Sequence, residues 1–109
     1  MQRLRKRADF LKVAKGQSVR MPAFVLQFLP VDGEAPPRIG FTVTKRQGNA
    51  VKRNRIRRRL REAVRLTGVS PFPAGDYVLI GREAALKISF SALQADLAKA
   101  VRRTQEQLV

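Results

Sequence analysis

Between Lys45 and Leu66 the chain carries ten Lys or Arg and a single acid, Glu62. At 100° per residue Arg53, Arg57, Arg61 and Arg65 fall in one i, i+4 row, and Arg55, Arg58 and Arg59 widen it. Guanidinium forks bind phosphate bidentately, so this residue type at this spacing points to gripping a polyanion. Lys45 and Arg46 stand just before Gly48 and Asn49. Gly48 permits a sharp turn, Asn49 is a suitable N-cap, and a helix N-terminus is itself an anion site. Bond-breaking chemistry finds no comparable constellation. The chain has no His and no Cys, which removes the usual general base and thiolate metal sites. Its acids, Asp9, Asp32, Glu34, Glu62, Asp76, Glu83, Asp96 and Glu106, are scattered rather than clustered for two metals.

The cationic stretch has an anchor. Ile56, Leu60, Ala63 and Val64 form an apolar row that must face a core. A merely solvated face would mix signs, and a localisation signal would not need the row. A DNA-reading helix offers polar residues to base edges; here Asn54 stands alone among arginines. The pattern suits recognition of backbone and shape, as in structured RNA. The formal charge is +15, and all of it is accounted for by residues 1–20 and 45–65, with the rest neutral. Two basic elements therefore sit on a balanced scaffold.

At 109 residues, 44% of them hydrophobic, the scaffold has room for one domain. Residues 1–7 read as a basic, flexible arm. A short helix is expected from about Ala8 to Lys15, with Phe10, Val13 and Ala14 on one face and Gly16 as a left-handed stop. Ala23 to Leu29 alternates as a strand, with an earlier strand near residues 18–20. Arg38 to Thr44 is another, close enough in sequence to the last to form an antiparallel hairpin. The basic helix then runs from Asn49 to Thr67-Gly68, with Phe72 filling a gap beyond it. Asp76 to Gly81 is nearly all apolar and reads as a central strand covered on both faces. Ser91 to Gln94 resembles a capping box opening a last helix to about Gln107, with Leu93, Leu97, Val101 and Leu108 in one stripe. The sum is an α+β fold. No apolar run approaches the ~20 residues of a membrane span, and no apolar segment follows the basic N-terminus as in a signal peptide. No membrane partner and an intracellular, reducing compartment are expected.

The stretch Gly40 to Ala63 resembles the signature of the bacterial ribonuclease P protein component, most specifically at Gly48-Asn49-Ala50-Val51-Lys52-Arg53-Asn54-Arg55. The likeness extends to Arg5 through Phe10, Gly16, Phe24 to Leu26, Asp76 to Ile80 with Arg82, and the final helix. It implies a small, mostly antiparallel sheet packed with helices in the order α-β-β-β-α-β-α. It also implies an unusual left-handed βαβ crossover, as in domain 2 of ribosomal protein S5, where the general rule would give a right-handed one. It implies the accessory subunit of a cytoplasmic endoribonuclease that removes the 5′ leader of precursor tRNA, with ribonuclease P RNA and precursor tRNA as partners. Catalysis, and the Mg²⁺ it needs, would reside mainly with the RNA, so no catalytic or metal residue is assigned. RNA contacts carry over to Lys45, Arg46, Asn49, Arg53, Asn54, Arg55, Arg57, Arg58 and Arg61. A leader-binding cleft carries over to Phe10, Ala14, Gln27 and Thr42. Relatives often bear an aromatic where Ala14 and Gln27 stand, so here stacking should contribute less and charge more. Phe10 also admits ordinary core packing, and Phe24, Phe28 and Phe90 read as core. A structural RNA-binding protein of the ribosomal kind and a protein-only nuclease are the rival readings.

Overall fold

A computed structural model describes residues 2–33, 35–67 and 72–106. The elements are β1 (Gln2–Arg3), α1 (Arg7–Ala14), β2 (Gln17–Met21), β3 (Phe24–Leu29), β4 (Arg38–Thr42), α2 (Ala50–Thr67), β5 (Asp76–Gly81) and α3 (Phe90–Glu106). They build one five-stranded sheet in the order β1-β4-β5-β3-β2. The β2–β3 and β3–β5 pairings are antiparallel and cover more of the sheet than the parallel β1–β4 and β4–β5 pairings. Helix α1 covers one face; α2 and α3 cover the other.

Strand alternation sets the two faces. In β3, Phe24, Leu26 and Phe28 are fully buried in the main core, while Val25, Gln27 and Leu29 are half-buried on the α1 side. In β5, Tyr77 and Leu79 join the main core and Val78 joins Leu4 and Val13 beneath α1. Its central position explains the near-continuous apolar run. The row read on α2 is the row buried: Ile56, Leu60, Ala63 and Val64. Burying Ile56 and Leu60 stabilises by about 1.5–3 kcal/mol each. Each like-charge i, i+4 pair on the outer face costs only about 0.2–0.5 kcal/mol, so packing holds the cationic helix in place.

The expected hairpin of Phe24–Leu29 with the strand at Arg38 does not form. Strand β5 lies between them, pairing Leu26 with Leu79 on one side and Phe41 with Leu79 on the other. The tight hairpin is β2–β3, turning through Pro22 and Ala23. Residues 2–3 are also not a free arm: they pair with Arg38 and Ile39, and Leu4 behind them is buried. Gly16 has no left-handed conformation. It is needed for close approach, since a Cβ there would lie 2.1 Å from the Phe28 carbonyl oxygen. Helix α3 starts earlier than the capping box suggested: the Ala92 N–H donates to Ser89 Oγ at 3.1 Å, which makes Ser89 the cap. The Gly68 stop and Leu108 lie outside the described residues.

The hand of the β4–α2–β5 crossover follows from local chemistry. The Leu4 N–H donates to the Ile39 carbonyl at 2.8 Å, so the Ile39 peptide groups point toward β1, while its side chain lies in the core under α2. For an L-residue those two directions fix which way the face under α2 looks relative to the strand direction. With β5 on the side of β4 opposite β1, the path is left-handed, against the usual preference.

Candidate nucleic-acid interface

The segment leading into α2 is fixed on both sides. Residues Lys45–Gln47 make one 3₁₀ turn, and Gly48 at φ 132° makes the left-handed bend that favours glycine. Asn49 Oδ1 accepts from the Lys52 N–H at 2.9 Å, capping α2 as expected. Across the fold, Gln47 Oε1 accepts from the Glu83 N–H at 2.8 Å, and Lys52 Nζ pairs with Glu83 at 2.7 Å. Lys52, then Lys87, hold the Glu83 carboxyl below the usual carboxylate range. These ties anchor the turn that displays Lys45 and Arg46.

The arginines of α2 divide by what they touch. Arg53 Nε donates to the Gly48 carbonyl at 3.2 Å, so it braces the bend. Arg57 Nη1 donates to Asn54 Oδ1 at 2.7 Å, which orients both on the outer face. Arg65, the end of the expected row, pairs with Glu62; that pairing lowers the Glu62 pKa and raises that of Arg65. Arg59 turns inward: its Nη2 donates to the Ile88 carbonyl at 2.6 Å and its guanidinium lies over Phe90. Its Nε is buried without a partner. Lys45, Arg46, Arg55, Arg58 and Arg61 are exposed with no acidic partner among the described residues. This is the surface that can take phosphates, and it spans the turn and two flanks of α2.

The second constellation lies on the opposite face. Phe10, Ala14, Gln27 and Thr42 come together in an open cleft of about 470 Å³ between α1 and the sheet. Phe10 rests edge-on against Gly40, where a Cβ would come 2.5 Å from its Cζ. The ring is therefore half-buried against the cluster of Leu4, Val13 and Val78 and half presented to the cleft. Phe10 is thus core on one side and cleft lining on the other. Phe24 and Phe28 are core, and Phe90 is half-buried under Arg59.

Other cleft residues were not assigned to it from the sequence. Arg5, Arg7, Leu11, Phe41, Val78 and Ile80 also line it. Alternation in β5 could have offered Val78 and Ile80; Arg5 reaches the rim because β1 ties the N-terminus to β4. Arg38 fixes the far end of the floor: its Nε and Nη2 donate to the two carboxylate oxygens of buried Asp76 at 2.8 and 2.7 Å, and Asp9 of α1 lies 3.7 Å away. The bond to Asp76 raises the Arg38 pKa. Among the described residues, no three acids stand together as metal ligands. No helix there is long and apolar enough to cross a membrane.

Comparison with known proteins bears on the family and the fold. The family model described as Ribonuclease P matches residues 1–105. The ribonuclease P protein component of Gluconacetobacter diazotrophicus is 54% identical over 103 residues, covering 93% of this chain and 89% of that protein. That of Brucella suis is 46% identical over 108 residues, covering 91% and 77%. Among solved structures, the RNase P protein of Staphylococcus aureus superimposes with a TM-score of 0.76 at 32% identity, covering 94% of each chain. The RNase P protein from Thermotoga maritima superimposes with a TM-score of 0.78 at 30% identity, covering 94% and 97%.

Proposed function

The chain belongs to the ribonuclease P protein family, and from that premise we propose that it binds the catalytic RNA of the ribonucleoprotein through α2 and the 5′ leader of precursor tRNA through the α1 cleft. In so doing it promotes endonucleolytic release of the leader and formation of the mature tRNA 5′ end. The observation that carries this reading is the pair of surfaces on opposite faces of one sheet. A convex face displays Lys45, Arg46, Arg55, Arg58 and Arg61 without neutralising acids. A concave one is an open cleft of about 470 Å³ lined in part by Arg5 and Arg7. Folded RNA fits the first by its phosphates and shape; an unpaired strand fits the second by charge and by stacking on Phe10.

The protein's part is positioning. Asp9 and Asp76 face Arg38, Glu62 faces Arg65 and Glu83 faces Lys52. These carboxylates are engaged with bases and are not gathered to activate water, which supports the assignment of hydrolysis, and of the Mg²⁺ that assists it, to the RNA. Placement in the cytoplasm, where precursor tRNA is made, follows from this role. The test is precursor-tRNA cleavage by the cognate RNA at low Mg²⁺, with and without the protein. Stimulation is expected. No stimulation, co-purification with ribosomal RNA instead, or cleavage by RNA-free protein would each overturn the reading.

A further inference from the structure

The two surfaces meet at one place. Around the edge of β4, Arg3 from β1 and Arg61 from α2 both approach the ring of Phe41, each with its guanidinium carbon 5.9 Å from the ring centroid. Phe41 also lines the cleft, beside Arg5. Among the described residues none of these three arginines has an acidic partner. Burial, then the charges of Arg61 and Arg5, lower the Arg3 pKa, so the cluster is held together against its own repulsion. Backbone pairing holds Arg3 and the buried row of α2 holds Arg61, so neither element is free to swing away. The ladder from β1 stops at the Ile39 carbonyl. The next amide of β4 on that side, Phe41 N–H, lies beyond it and makes no backbone hydrogen bond among the described residues.

We infer that Arg3, Arg61 and Arg5, set around Phe41 at the open edge of β4, form a binding site for one RNA phosphodiester where a strand passes between the cleft and the basic helix. The inference rests on the functional reading above and adds a site that joins Arg61 of the helical face and Arg5 of the cleft rim through Arg3, which belongs to neither surface. Two guanidiniums over one ring present donors from two sides, and an anion between them removes the repulsion that the free protein bears. The phosphodiester belongs either to the leader or to the catalytic RNA.

The experiment uses the assembled ribonucleoprotein and Arg3→Ala, with Arg3→Gln as a second variant and Lys99→Ala on α3 as the control. If the leader supplies the phosphate, Arg3→Ala weakens precursor-tRNA binding about tenfold, leaves mature tRNA binding unchanged, and flattens the salt dependence by about 0.7 in log–log slope. If the catalytic RNA supplies it, protein–RNA assembly weakens by a similar factor and the precursor-to-mature ratio is unchanged. In either case Arg61→Ala costs less in the Arg3→Ala background than alone, because both serve one phosphate. Unchanged affinities in both arms, strictly additive losses, or an equal loss in Lys99→Ala would overturn the site. If the unsubstituted protein binds neither RNA, the functional reading falls, and the site with it.

Discussion

Gly40→Ala tests the cleft through its floor. The added methyl group would lie 2.5 Å from Phe10 Cζ, 2.7 Å from its Cε1 and 3.2 Å from Leu4 Cβ. Gly40 does not occupy the left-handed region, so its backbone accepts alanine and the conflict is mainly with the Phe10 ring, the Leu4 contact needing a shift of only a few tenths of an ångström. That ring must tilt outward, into the cleft. Overpacking of this kind costs about 1–3 kcal/mol, against about 0.4–1 kcal/mol gained by restricting the unfolded chain. A net loss of roughly 1–2 kcal/mol lowers the melting temperature by about 4–8 °C in a domain of this size. The displaced ring narrows the strand path, so preference for precursor over mature tRNA should fall. Affinity for the catalytic RNA, read through α2 on the far face, should hold.

The decisive measurement is the double variant. With Phe10→Ala in place the obstructing ring is gone, and Gly40→Ala should become neutral or slightly stabilising. Thermal melting of the four proteins gives the cycle. A destabilisation by Gly40→Ala that persists without the Phe10 ring would refute the contact on which the cleft floor is argued. A stability cycle of the expected sign with precursor preference intact in every variant would instead assign Phe10 to packing alone.

Three other outcomes are expected. If Arg57 meets a phosphate as the functional reading has it, Arg57→Ala frees Asn54, RNA affinity falls across sequences and the salt slope shrinks by about 1; an unchanged slope in a titration series would place Arg57 outside the interface. Gly16→Ala drives a Cβ into the backbone carbonyl of Phe28, where no side chain can yield, and should cost about 3 kcal/mol in denaturant unfolding. Tyr77, the sole tyrosine, is fully buried and donates to the Pro73 carbonyl at 2.7 Å, and burial raises its pKa well above 10.0. Its folded pKa exceeds its unfolded one, so its contribution is intact below about pH 10 and is lost as pH rises toward the folded value. Tyrosinate absorbance should therefore appear together with loss of circular dichroism; absorbance preceding unfolding would contradict that burial.

What was legible in the sequence was what repeats locally. The apolar row of α2 has a helical period and Asn49 a capping side chain, so the helix, its start and its buried face could all be read. The alternation of Phe24, Leu26 and Phe28 did the same for β3. What escaped depends on contacts between distant segments. Nothing in Pro30 to Pro37 reveals that β5 will enter between β3 and β4. Gly16 reads as a helix stop because its true neighbour, the Phe28 carbonyl, lies far along the chain. Ser89 and Ser91 both offer a hydroxyl to the start of α3. Starting at Phe90 puts that ring under Arg59, a packing choice that sequence spacing does not express. The residues Phe10, Ala14, Gln27 and Thr42 were assigned to the cleft from family likeness, whereas nothing in the sequence assigned Arg5, Leu11 and Phe41 to it; α1 and the sheet bring them there.

The shortness of β1 then has a physical meaning. Two residues are enough to bury Leu4 and to fix Arg3, yet they stop pairing at Ile39. One further rung would engage the outward amide of Phe41 and carry the N-terminal chain across the passage between the two faces. A longer β1 would make a better-paired edge and close the proposed route from the α1 cleft to α2. The left-handed crossover acts in the same direction. It sets the arginines of α2 on the face opposite α1, so folded RNA and a single strand can be held at once without competing for one surface. The open edge of β4 is where those two occupants can touch the same protein residues, and there the chain places three unneutralised arginines around one aromatic ring.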